Sequence, residues 1–496
     1  MEAIDDRRGP DVSPERLNLT RHVLWSAEGV DDKAALLVMT PNRVHTWPYE
    51  TLRALVLQTA GGLLQAGMRP GQRLLMRLGN TPDFPIVFLG AVAAGIIPVP
   101  TSAALNRAEV SKLAAVLSPD AVVTAGSVPL PDTCGVDFSP DDLRDGPPIK
   151  AFADTRADDP AYIVFTSGTS GTPTGVVHAH RAIWARRAMI AGWEGLTKDD
   201  RILHAGAFNW TYTLGTGLLD PWSVGATALV LGQDSGPDTI PELAKRNRAT
   251  ILAGAPGIFR KLNGMDMPDL PDLRHALSAG EKLPETVRAK WTAKTGTDIH
   301  EAFGQSECST FLSGAPHRPA PAGTVGFVQP GRAAAILGQA GIAPRGTLGR
   351  IAVHRSDLGL MLGYLGREAA PQEWVATGDL GVMREDGAVE YHGRADDVLT
   401  SGGFRLSPIE IEEAMHQHAG IQEAAAVDFQ LNADTRVIKL YFTASYDIDE
   451  AELRAHAQAH LAAQKCPRLY ERLDHLPRNS NGKLLRKNLR TANESL

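Results

Sequence analysis

Residues 162–181 read YIVFTSGTSGTPTGVVHAHR, where a β-branched and aromatic run leads directly into a loop of glycine, serine, threonine and proline. Such a loop carries little side-chain bulk, so its backbone N–H groups can approach the oxygens of a polyphosphate closely. The segment therefore predicts a strand followed by a phosphate-binding loop, and a nucleotide as substrate.

Two well-known motifs are absent from this segment. A P-loop needs G-x-x-x-x-G-K-[ST], but Gly168 and Gly171 are only three residues apart and no lysine follows them. The nucleophile elbow G-x-S-x-G also fails, because Ser170 is followed directly by Gly171. Taken alone, the loop is also compatible with a flexible surface turn, so its interpretation depends on the rest of the chain.

Five further segments follow in a fixed order along the chain. They are SAGEKLP (278–284), AFGQSE (302–307), VATGDL (375–380), GRADDVLTSGGFRLSPIEIE (393–412) and LPRNSNGKLLR (476–486). Together with TSGTSGTPTG, they resemble the motifs of the adenylate-forming (AMP-binding) superfamily, most closely its acyl- and aryl-CoA synthetase branch. The resemblance covers most of the chain and implies activation of a carboxylic acid by ATP.

Composition restricts the kind of protein. The chain has 496 residues, 43% of them hydrophobic, and a formal net charge of −7, which predicts at least two domains and no basic surface for nucleic acid or anionic membranes. Three widely spaced cysteines, Cys134, Cys308 and Cys466, fit neither a disulfide framework nor a metal motif. With no signal peptide at the N-terminus, we expect a cytoplasmic protein.

The pattern of elements predicts an α/β fold. Short strands such as 121–124, 226–231 and 250–253 alternate with helical patterns such as 52–66 and 240–246, as in helix-covered sheets. The apolar run 84–97 is shorter than the about 20 residues of a membrane span and predicts a buried helix leading into a strand. Closely spaced strands over 346–393 predict a small β-barrel.

The C-terminal part predicts a separate, smaller and mobile α+β domain. Its elements are a helix at 408–418, strands at 423–428 and 436–443, and a helix at 449–464. We therefore divide the chain into an N-terminal ATP- and acid-binding domain (1–393), a hinge (394–396) and a C-terminal lid domain (397–496).

The resemblance implies an ATP site with a bound Mg²⁺. Glu307 would hold the metal, assisted by Thr169 or Ser170, Phe303 would stack on adenine where the family more often has tyrosine, and Asp379 would accept both ribose hydroxyls. Arg394 would assist at the ribose or the α-phosphate. The full predicted ATP-binding set is Thr166, Ser167, Gly168, Thr169, Ser170, Gly171, Thr174, Gly280, Glu281, Ala302, Phe303, Gly304, Gln305, Ser306, Asp379 and Arg394.

The resemblance also implies a change of conformation between two reactions. Lys483 would neutralise charge where the carboxylate and the α-phosphate meet, and Asp396 would be the hinge whose rotation withdraws that lysine. Ser401, Gly402 and Gly403 would then line the passage of the CoA thiol arm. The predicted catalytic residues are Lys483, Glu307, Arg394 and Asp396.

One position departs from the family. Thr174 stands where the family usually has a lysine after the loop proline, so a cation is missing beside the β- and γ-phosphates. Arg181, His178 or His180 could compensate for it. Alternatively, the cation serves ground-state binding of ATP, or the residue is a deliberate replacement.

The acyl pocket of the family is lined by the segments that correspond to residues 204–222, 254–256 and 278–280. Its predicted lining residues are Phe208, Asn209, Trp210, Tyr212, Ala279 and Gly280. Asn209 is neutral where amino-acid-activating relatives carry aspartate, which disfavours an amino acid, and the absence of arginine from these segments disfavours dicarboxylates. His456 and His460 are i, i+4 neighbours, but no third metal ligand is evident in the sequence.

We therefore predict an ATP-dependent carboxylic acid:CoA ligase that uses Mg²⁺ and acts on a small aromatic or short- to medium-chain monocarboxylate. Its partners would be the acid and CoA, with no nucleic acid and no stable membrane insertion, and a homodimer is left open. Two alternatives are a stand-alone adenylation enzyme that loads a carrier protein and a weakly active acyl or nucleotide binder, the latter suggested by Thr174.

Overall fold

A computed structural model describes residues 1–9, 12–126, 128–133, 135–167, 173–232, 235–367, 371–401, 404–432, 435–478 and 484–491, with the backbone alone for residues such as Ser167 and Ser401. The predictions for Gly168, Thr169, Ser170, Gly171, Gly402, Gly403 and Lys483, and the cysteine Cys134, lie outside the described residues.

The strands are, in chain order, β1 (Ile4–Asp6), β2 (Ala34–Met39), β3 (Val44–Pro48), β4 (Arg73–Arg77), β5 (Ile97–Pro100), β6 (Ala121–Thr124), β7 (Val136–Phe138), β8 (Pro160–Ser167), β9 (Pro173–Ala179), β10 (Arg201–His204), β11 (Thr227–Leu231), β12 (Ile251–Gly254), β13 (His275–Ala279), β14 (Ile299–Gln305), β15 (Ser309–Ser313), β16 (Phe327–Val328), β17 (Ala333–Gly338), β18 (Gly341–Ile342), β19 (Gly349–His354), β20 (Gly363–Tyr364), β21 (Trp374–Met383), β22 (Val389–Arg394), β23 (Leu399–Ser401), β24 (Phe404–Leu406), β25 (Ile421–Asn432), β26 (Thr435–Ala444) and β27 (Leu469–Arg472).

The α-helices are α1 (Leu19–Trp25), α2 (Tyr49–Gln65), α3 (Asp83–Ala93), α4 (Arg107–Leu117), α5 (Pro140–Arg144), α6 (Ala182–Met189), α7 (Thr211–Leu214), α8 (Asp220–Ser223), α9 (Ile240–Arg246), α10 (Pro256–Asn263), α11 (Glu285–Thr295), α12 (Pro408–Met415), α13 (Glu450–His460) and α14 (Arg486–Thr491). Two π-helical turns, Ile190–Glu194 and Gly215–Leu219, continue α6 and α7.

Two sheets and the helices that cover them form most of the N-terminal part. The larger sheet has the strand order β16-β15-β14-β13-β12-β10-β11-β2-β3 and is parallel from β14 to β2. The smaller sheet has the order β5-β4-β6-β7 and is parallel throughout. One hydrophobic core joins them, because it contains residues of β2, β4, β6, α2 and α3, and the predicted buried helix and strand over 84–97 are confirmed as α3 and β5.

The phosphate-loop segment lies in a small antiparallel sheet of its own, with the order β20-β9-β8. Thr166 pairs with Thr174 and Ser167 pairs with Pro173, so β8 and β9 bring both ends of the loop 168–172 together. This hairpin geometry gives the loop a fixed base.

The predicted small barrel is a six-stranded antiparallel sheet, β1-β17-β19-β21-β22 with β18 beside β17. Its predicted start at residue 346 was too late, because β17 begins at Ala333 and the N-terminal strand β1 pairs with β17. The alanine-rich sequence of β17 and the three residues of β1 carry little hydrophobic alternation, which is why their sequences did not reveal them.

The C-terminal part has its own hydrophobic core, formed by residues of β23, β24, α12, β25, β26 and α13. The predicted helix over 449–464 ends earlier, at His460, and is followed by a short 3₁₀ turn. Together these elements confirm the predicted fold class. Among the helices of the described part of the chain, none is long and apolar enough to cross a membrane.

Candidate active site

The predicted metal ligand Glu307 is held in place by a tyrosine from a distant strand. The hydroxyl of Tyr364 donates a 2.9 Å hydrogen bond to Glu307 Oε1, and the N–H of Met361 donates to the Glu307 carbonyl oxygen at 2.7 Å. Burial and the negative charge of Glu307 raise the pKa of Tyr364 to about 12, so its proton stays available to the carboxylate. The strand β20 therefore fixes the orientation of Glu307.

This arrangement fits Mg²⁺. Glu307 is half-buried, and one of its oxygens keeps lone pairs that Tyr364 does not use. Among the described residues no group of three or more His, Cys, Asp or Glu side chains could hold a metal. A single carboxylate is nevertheless suited to magnesium, which commonly binds one or two carboxylates together with water and substrate phosphates.

The residues predicted to bind the nucleoside meet at the junction of two sheets. The Phe303 ring lies 5.2 Å from the ring of Tyr391, and the hydroxyl of Tyr391 donates to Asp379 Oδ1 at 3.2 Å. Asp379 pairs with Arg394 across β21 and β22, and Arg394 Nη1 lies 3.7 Å from Asp379 Oδ2. An aromatic face, a carboxylate and a guanidinium thus converge, as adenine, ribose and phosphate would require.

The AFGQSE segment (302–307), which includes the end of β14, is anchored from the hairpin of β8 and β9, the predicted phosphate hairpin. His178 Nε2 lies 2.7 Å from the carbonyl oxygen of Ser306, and its ring stacks on Tyr162. A Cβ on Gly304 would lie 2.2 Å from the carbonyl oxygen of Ser309, so only glycine fits this bend. Ala302 is buried, whereas Gln305 is half-buried; the whole segment is placed against the phosphate hairpin.

Gly280 and Trp210, two of the predicted acyl-pocket residues, form a close contact. Gly280 has a φ of +99°, and a Cβ at this position would lie 2.6 Å from Trp210 Cζ2. The indole lies edge-on to the ring of Tyr212 at 5.2 Å, and the hydroxyl of Tyr212 donates to the Leu277 carbonyl oxygen. Ala279 is buried on β13 and Asn209 is half-buried.

Phe208 occupies a different environment from the other predicted lining residues. Its side chain is 1% exposed and packs on the ring of Phe84 at 5.4 Å, within the core shared by the two large sheets. Its place in the fold is therefore that of a core residue behind the pocket wall, and Trp210 and Tyr212 supply the aromatic surface.

A cavity of about 1080 Å³ extends from Trp210 into the space between the N-terminal and C-terminal parts. Arg260 lines this cavity, although no arginine occurs in the predicted lining segments, and its guanidinium is paired with Glu423 at 2.9 Å. The positive charge of Arg260 is thus matched by a carboxylate of the C-terminal part.

A buried charge cluster lies behind the two π-helical turns. Arg186 Nε donates to Asp220 Oδ1 at 2.7 Å, and Arg186 Nη1 donates to the hydroxyl of Ser309 at 2.6 Å. Glu194 accepts a 2.9 Å hydrogen bond from Thr216. Burial and the neighbouring Asp220 raise the pKa of Glu194 well above its usual range.

The three cations suggested as substitutes for the missing loop lysine are engaged elsewhere. The guanidinium of Arg181 binds Asp158 at 2.5 Å and the carbonyl oxygens of Leu358 and Leu360 at 2.6 and 3.0 Å. Burial lowers the pKa of both His178 and His180 to about 4, so both are neutral at pH 7. These residues support the fold around the loop.

A fully buried ion pair supports the segment that leads to Tyr364. Arg332 Nε lies 2.7 Å from Asp357 Oδ2, with side-chain exposures of 1% and 0%. Arg332 also donates to the carbonyl oxygen of Cys308 at 2.6 Å, and Asp357 accepts the N–H of Gly359 at 2.8 Å. The pair therefore connects the β-barrel with Cys308, the residue after the predicted metal ligand Glu307, and with Gly359 in the segment that leads to Tyr364.

Residues 394–397 change partners from one domain to the other. Arg394 pairs with Asp379 and with Asp396 Oδ1 at 3.2 Å, whereas Asp397 lies 3.6 Å from Arg486 and 3.7 Å from Arg490. Asp396 is about half exposed. The contacts of the N-terminal part thus end, and those of the C-terminal part begin, within three residues.

Several residues of the site were missed in the sequence, foremost Tyr364 and Tyr391. Tyr364 is 57 residues from Glu307, and its strand β20 has only two residues, so no local pattern reveals it. Tyr391 lies between Glu390 and His392 in a segment that the sequence predicted only as part of the β-barrel, with no role in the site. In both cases sheet pairing creates the contact.

A two-domain α/β fold, in which the hairpin of β8 and β9 contacts a segment rich in acidic and aromatic side chains, is typical of a nucleotide-dependent enzyme. The family model for the AMP-binding enzyme matches residues 23–365, and that for the AMP-binding enzyme C-terminal domain matches residues 410–483. The chain therefore belongs to the AMP-binding enzyme family, which confirms the resemblance seen in its motifs.

Individual relatives agree with this assignment. The chain is 30% identical over 493 residues to a benzoate–CoA ligase of Thauera aromatica, covering 90% of this chain and 91% of the relative. A solved benzoate CoA ligase from Burkholderia xenovorans LB400 is 25% identical with a TM-score of 0.85, covering 95% and 99% of the two chains. ATP-bound MatB from Rhodopseudomonas palustris is 26% identical with a TM-score of 0.87, covering 96% and 98%, and its apo form gives 0.77.

Proposed function

We propose that this protein is an AMP-forming carboxylic acid:CoA ligase. It joins a carboxylate to ATP as an acyl-adenylate with release of pyrophosphate, and then transfers the acyl group to the thiol of CoA. The family assignment and its CoA ligase relatives support this activity over a carrier-protein loading enzyme or a passive binder.

One observation carries the proposal. Three residues from separate motifs are linked into one continuous set of contacts: Phe303 reaches Asp379 through Tyr391, and Asp379 pairs with Arg394. The hydroxyl of Tyr364 holds Glu307 of the same motif as Phe303. We propose that these residues bind the adenine, the ribose, the α-phosphate and the metal of ATP.

These residues have distinct roles in the first half-reaction. Phe303 stacks on adenine, Asp379 accepts the ribose hydroxyls, and Arg394 and Lys483 neutralise the negative charge that develops at the α-phosphate. Mg²⁺, when bound at Glu307, screens the charges of the β- and γ-phosphates. Ser401, Gly402 and Gly403 form the passage of the CoA arm in the second half-reaction.

We place the hinge at 394–396 between domains 1–393 and 397–496. The exchange of ion-pair partners between Arg394 and Asp397 supports this boundary. We also place the protein in the cytoplasm, with a homodimer as a further prediction, and the free thiols of Cys308 and Cys466 are consistent with a reducing compartment.

The substrate is a small aromatic or short- to medium-chain monocarboxylate. Trp210 and Tyr212 present aromatic surface, and the guanidinium groups of Arg260 and Arg478, which line the cavity, are both already paired with Glu423. A second carboxylate on the substrate would therefore compete with Glu423 for its cation.

The test is ATP–pyrophosphate exchange with a panel of benzoates, linear C3 to C10 monocarboxylates and dicarboxylates, followed by thioester formation with CoA or with candidate carrier proteins. We expect exchange with monocarboxylates and thioester formation with CoA. Lys483→Ala should abolish exchange while thioester formation from supplied acyl-AMP is retained, and Lys112→Ala, at an exposed position on α4, is the matched control. Exchange with no acid, or transfer to a carrier protein and not to CoA, would overturn the proposal.

A further inference from the structure

Ser309 has a backbone conformation that residues other than glycine rarely adopt. Its φ is +61°, in the left-handed region that costs a residue with a side chain about 1–2 kcal/mol. It is half-buried, lies two residues after the predicted metal ligand Glu307, and pairs with Gln305 at the end of β14. Residues held in such conformations cluster at active sites, so we looked for a function of the Ser309 side chain.

A buried cation fixes the direction of the Ser309 hydroxyl group. Arg186 Nη1 donates a hydrogen bond to the hydroxyl oxygen at 2.6 Å. A guanidinium group has donors and no acceptor, so the serine oxygen is the acceptor in this contact. The proton of the serine hydroxyl must therefore point towards another group.

The guanidinium group of Arg186 is itself held on several sides. Arg186 Nε donates to Asp220 Oδ1 at 2.7 Å and Nη2 donates to the Thr216 hydroxyl at 3.2 Å, and the Arg186 and Asp220 side chains are 8% and 1% exposed. A Cβ on Gly215 would lie 2.1 Å from Arg186 Nη2, so glycine is needed to make room for the guanidinium. Gly215 and Thr216 belong to a π-helical turn, a distortion that is frequent at functional sites. The cation that orients Ser309 therefore has a rigid position.

The acceptor that the structure provides for the Ser309 proton is weak. Among the described residues this acceptor is Met189 Sδ, 3.7 Å from the hydroxyl oxygen, and a thioether sulfur is a weak acceptor. Met189 belongs to the apolar cluster that contains Tyr212 and Ala279 and packs against Trp210, three of the predicted acyl-pocket residues. An oriented donor thus lies beside an apolar wall of the predicted acyl pocket, and no strong acceptor for it occurs in the part of the chain that the structure describes.

We propose that Ser309 is a specificity-determining residue that donates a hydrogen bond to an oxygen atom on the hydrocarbon part of the acid, and that Arg186 is the positioning residue that orients it. The inference rests on the proposed function and narrows the substrate to a monocarboxylate that carries a hydroxyl, alkoxy or oxo group. A buried donor left without an acceptor costs binding energy. A site of this kind therefore rejects the analogue that lacks the oxygen.

Pairs of acids that differ by one oxygen atom test this role. The measured quantity is kcat/KM for the acid in ATP–pyrophosphate exchange. The pairs are methoxybenzoates and ethylbenzoates substituted at the ortho, meta or para position, and ω-methoxy linear acids with the unsubstituted linear acids of equal length. We expect the wild-type enzyme to prefer the oxygen-containing member of at least one pair by about 5- to 30-fold, the size of effect that one hydrogen bond produces.

Four variants make the test specific, and the ratio within a pair is the readout because a general loss of stability does not change it. Ser309→Ala should bring the ratio close to one, since it removes the donor, and Ser309→Gly should do the same while it also relieves the left-handed backbone conformation. Arg186→Lys retains the charge but loses the fork that orients the hydroxyl, so the ratio should fall while the KM for ATP stays close to wild type. Thr310→Val removes a hydroxyl that donates to the same Met189 sulfur at 3.5 Å; it is the matched control and should keep the wild-type ratio.

The absence of any preference for oxygen in the wild-type enzyme, or a preference that survives both substitutions of Ser309, would overturn the inference. An equal fall of kcat/KM for both members of every pair would show that Ser309 serves the carboxylate or the fold, and would overturn it as well. If the wild-type enzyme exchanges pyrophosphate with none of these acids, the proposed function itself fails, and this outcome is recognised before any variant is compared.

Discussion

Restoring a lysine at the phosphate hairpin tests whether the missing charge limits adenylation. Thr174 is half-buried and pairs with Thr166 at the base of the loop 168–172. Arg181 is bound to Asp158 and to carbonyl oxygens, while His178 and His180 are neutral. We therefore expect Thr174→Lys to add a cation that none of these three side chains supplies.

The size of the effect follows from distance and exposure. An ammonium about 4 Å from a phosphate oxygen interacts with about 4 kcal/mol at an effective dielectric constant of about 20. Because the position is half-buried, solvent and salt screen part of this, and immobilising a lysine costs up to about 2 kcal/mol of side-chain entropy. A net gain of about 1–2 kcal/mol remains, which corresponds to a factor of about 5 to 30 in the KM for ATP or in the exchange rate.

Arg367 is another cation near the hairpin, and Thr174→Lys can also be tested in a protein that carries Arg367→Ala. Strand β20 pairs with β9, the N–H of Leu365 donates to the Gly175 carbonyl oxygen, and the exposed Arg367 follows in a turn in which its N–H donates to the Tyr364 carbonyl oxygen. The Arg367 guanidinium lies 6.0 Å from the centre of the Tyr364 ring, whose hydroxyl binds Glu307. If Arg367 serves the phosphates, Arg367→Ala should raise the KM for ATP, and Thr174→Lys should reverse that loss.

The assay is ATP–pyrophosphate exchange at varied ATP and fixed acid, with Thr174→Met as a neutral control of similar length. Acid preference should stay unchanged, because residue 174 lies on the phosphate side of the site. If Thr174→Lys and Thr174→Met have the same ATP kinetics in both backgrounds, a cation at this position does not reach the phosphates and the reasoning is refuted.

Three further predictions concern the acyl pocket, the hinge and the buried acid. Gly280→Ala places a Cβ 2.6 Å from Trp210 and imposes a φ of +99° on a residue with a side chain, at a backbone cost of about 1–2 kcal/mol. The KM for the acid should rise about tenfold and the KM for ATP should rise less. Equal rises of both KM values would contradict a role at the acyl pocket. Asp396→Pro should retain pyrophosphate exchange and lose thioester formation, since proline fixes φ; normal overall turnover would show that the hinge lies elsewhere. Burial raises the pKa of native Glu194 above its ordinary value of 4.5, so above that pH the native protein binds more protons than the unfolded chain, and this residue makes stability fall as pH rises, by up to about 1.4 kcal/mol per pH unit. Urea unfolding between about pH 5 and 8 should show a shallower decline for Glu194→Gln than for wild type, and parallel declines would refute a raised pKa of Glu194.

The sequence was most informative where hydrophobic pattern and local motif agree. Strand 121–124 and helix 240–246 were predicted with the observed bounds, because each is a short periodic run between clear breaks. The roles of Phe303, Glu307 and Asp379 were predicted from the resemblance of their motifs to the family, and the structure joins Phe303 to Asp379 through Tyr391.

Contacts between distant segments could not be predicted in the same way. The carboxylate of Glu281 binds Arg478, almost 200 residues further along the chain, and Tyr364 reaches Glu307 through a two-residue strand. Neither contact leaves a periodic signal, since both depend on how separate sheets and domains are arranged. Phe208 was misplaced for the same reason, because an aromatic next to a pocket motif and an aromatic in the core look alike in sequence.

The buried pair of Arg332 and Asp357 has a consequence for how this fold can change over evolutionary time. Removing either partner alone leaves an uncompensated charge in the interior, which typically costs about 3–5 kcal/mol, whereas exchanging both for well-packed apolar residues is often neutral. Because Arg332 also binds the Cys308 carbonyl oxygen beside Glu307, a lone substitution would disturb the metal ligand as well as stability. The two positions are therefore expected to covary among homologues, retained together or replaced together, and single replacements should persist only in lineages that no longer depend on Glu307.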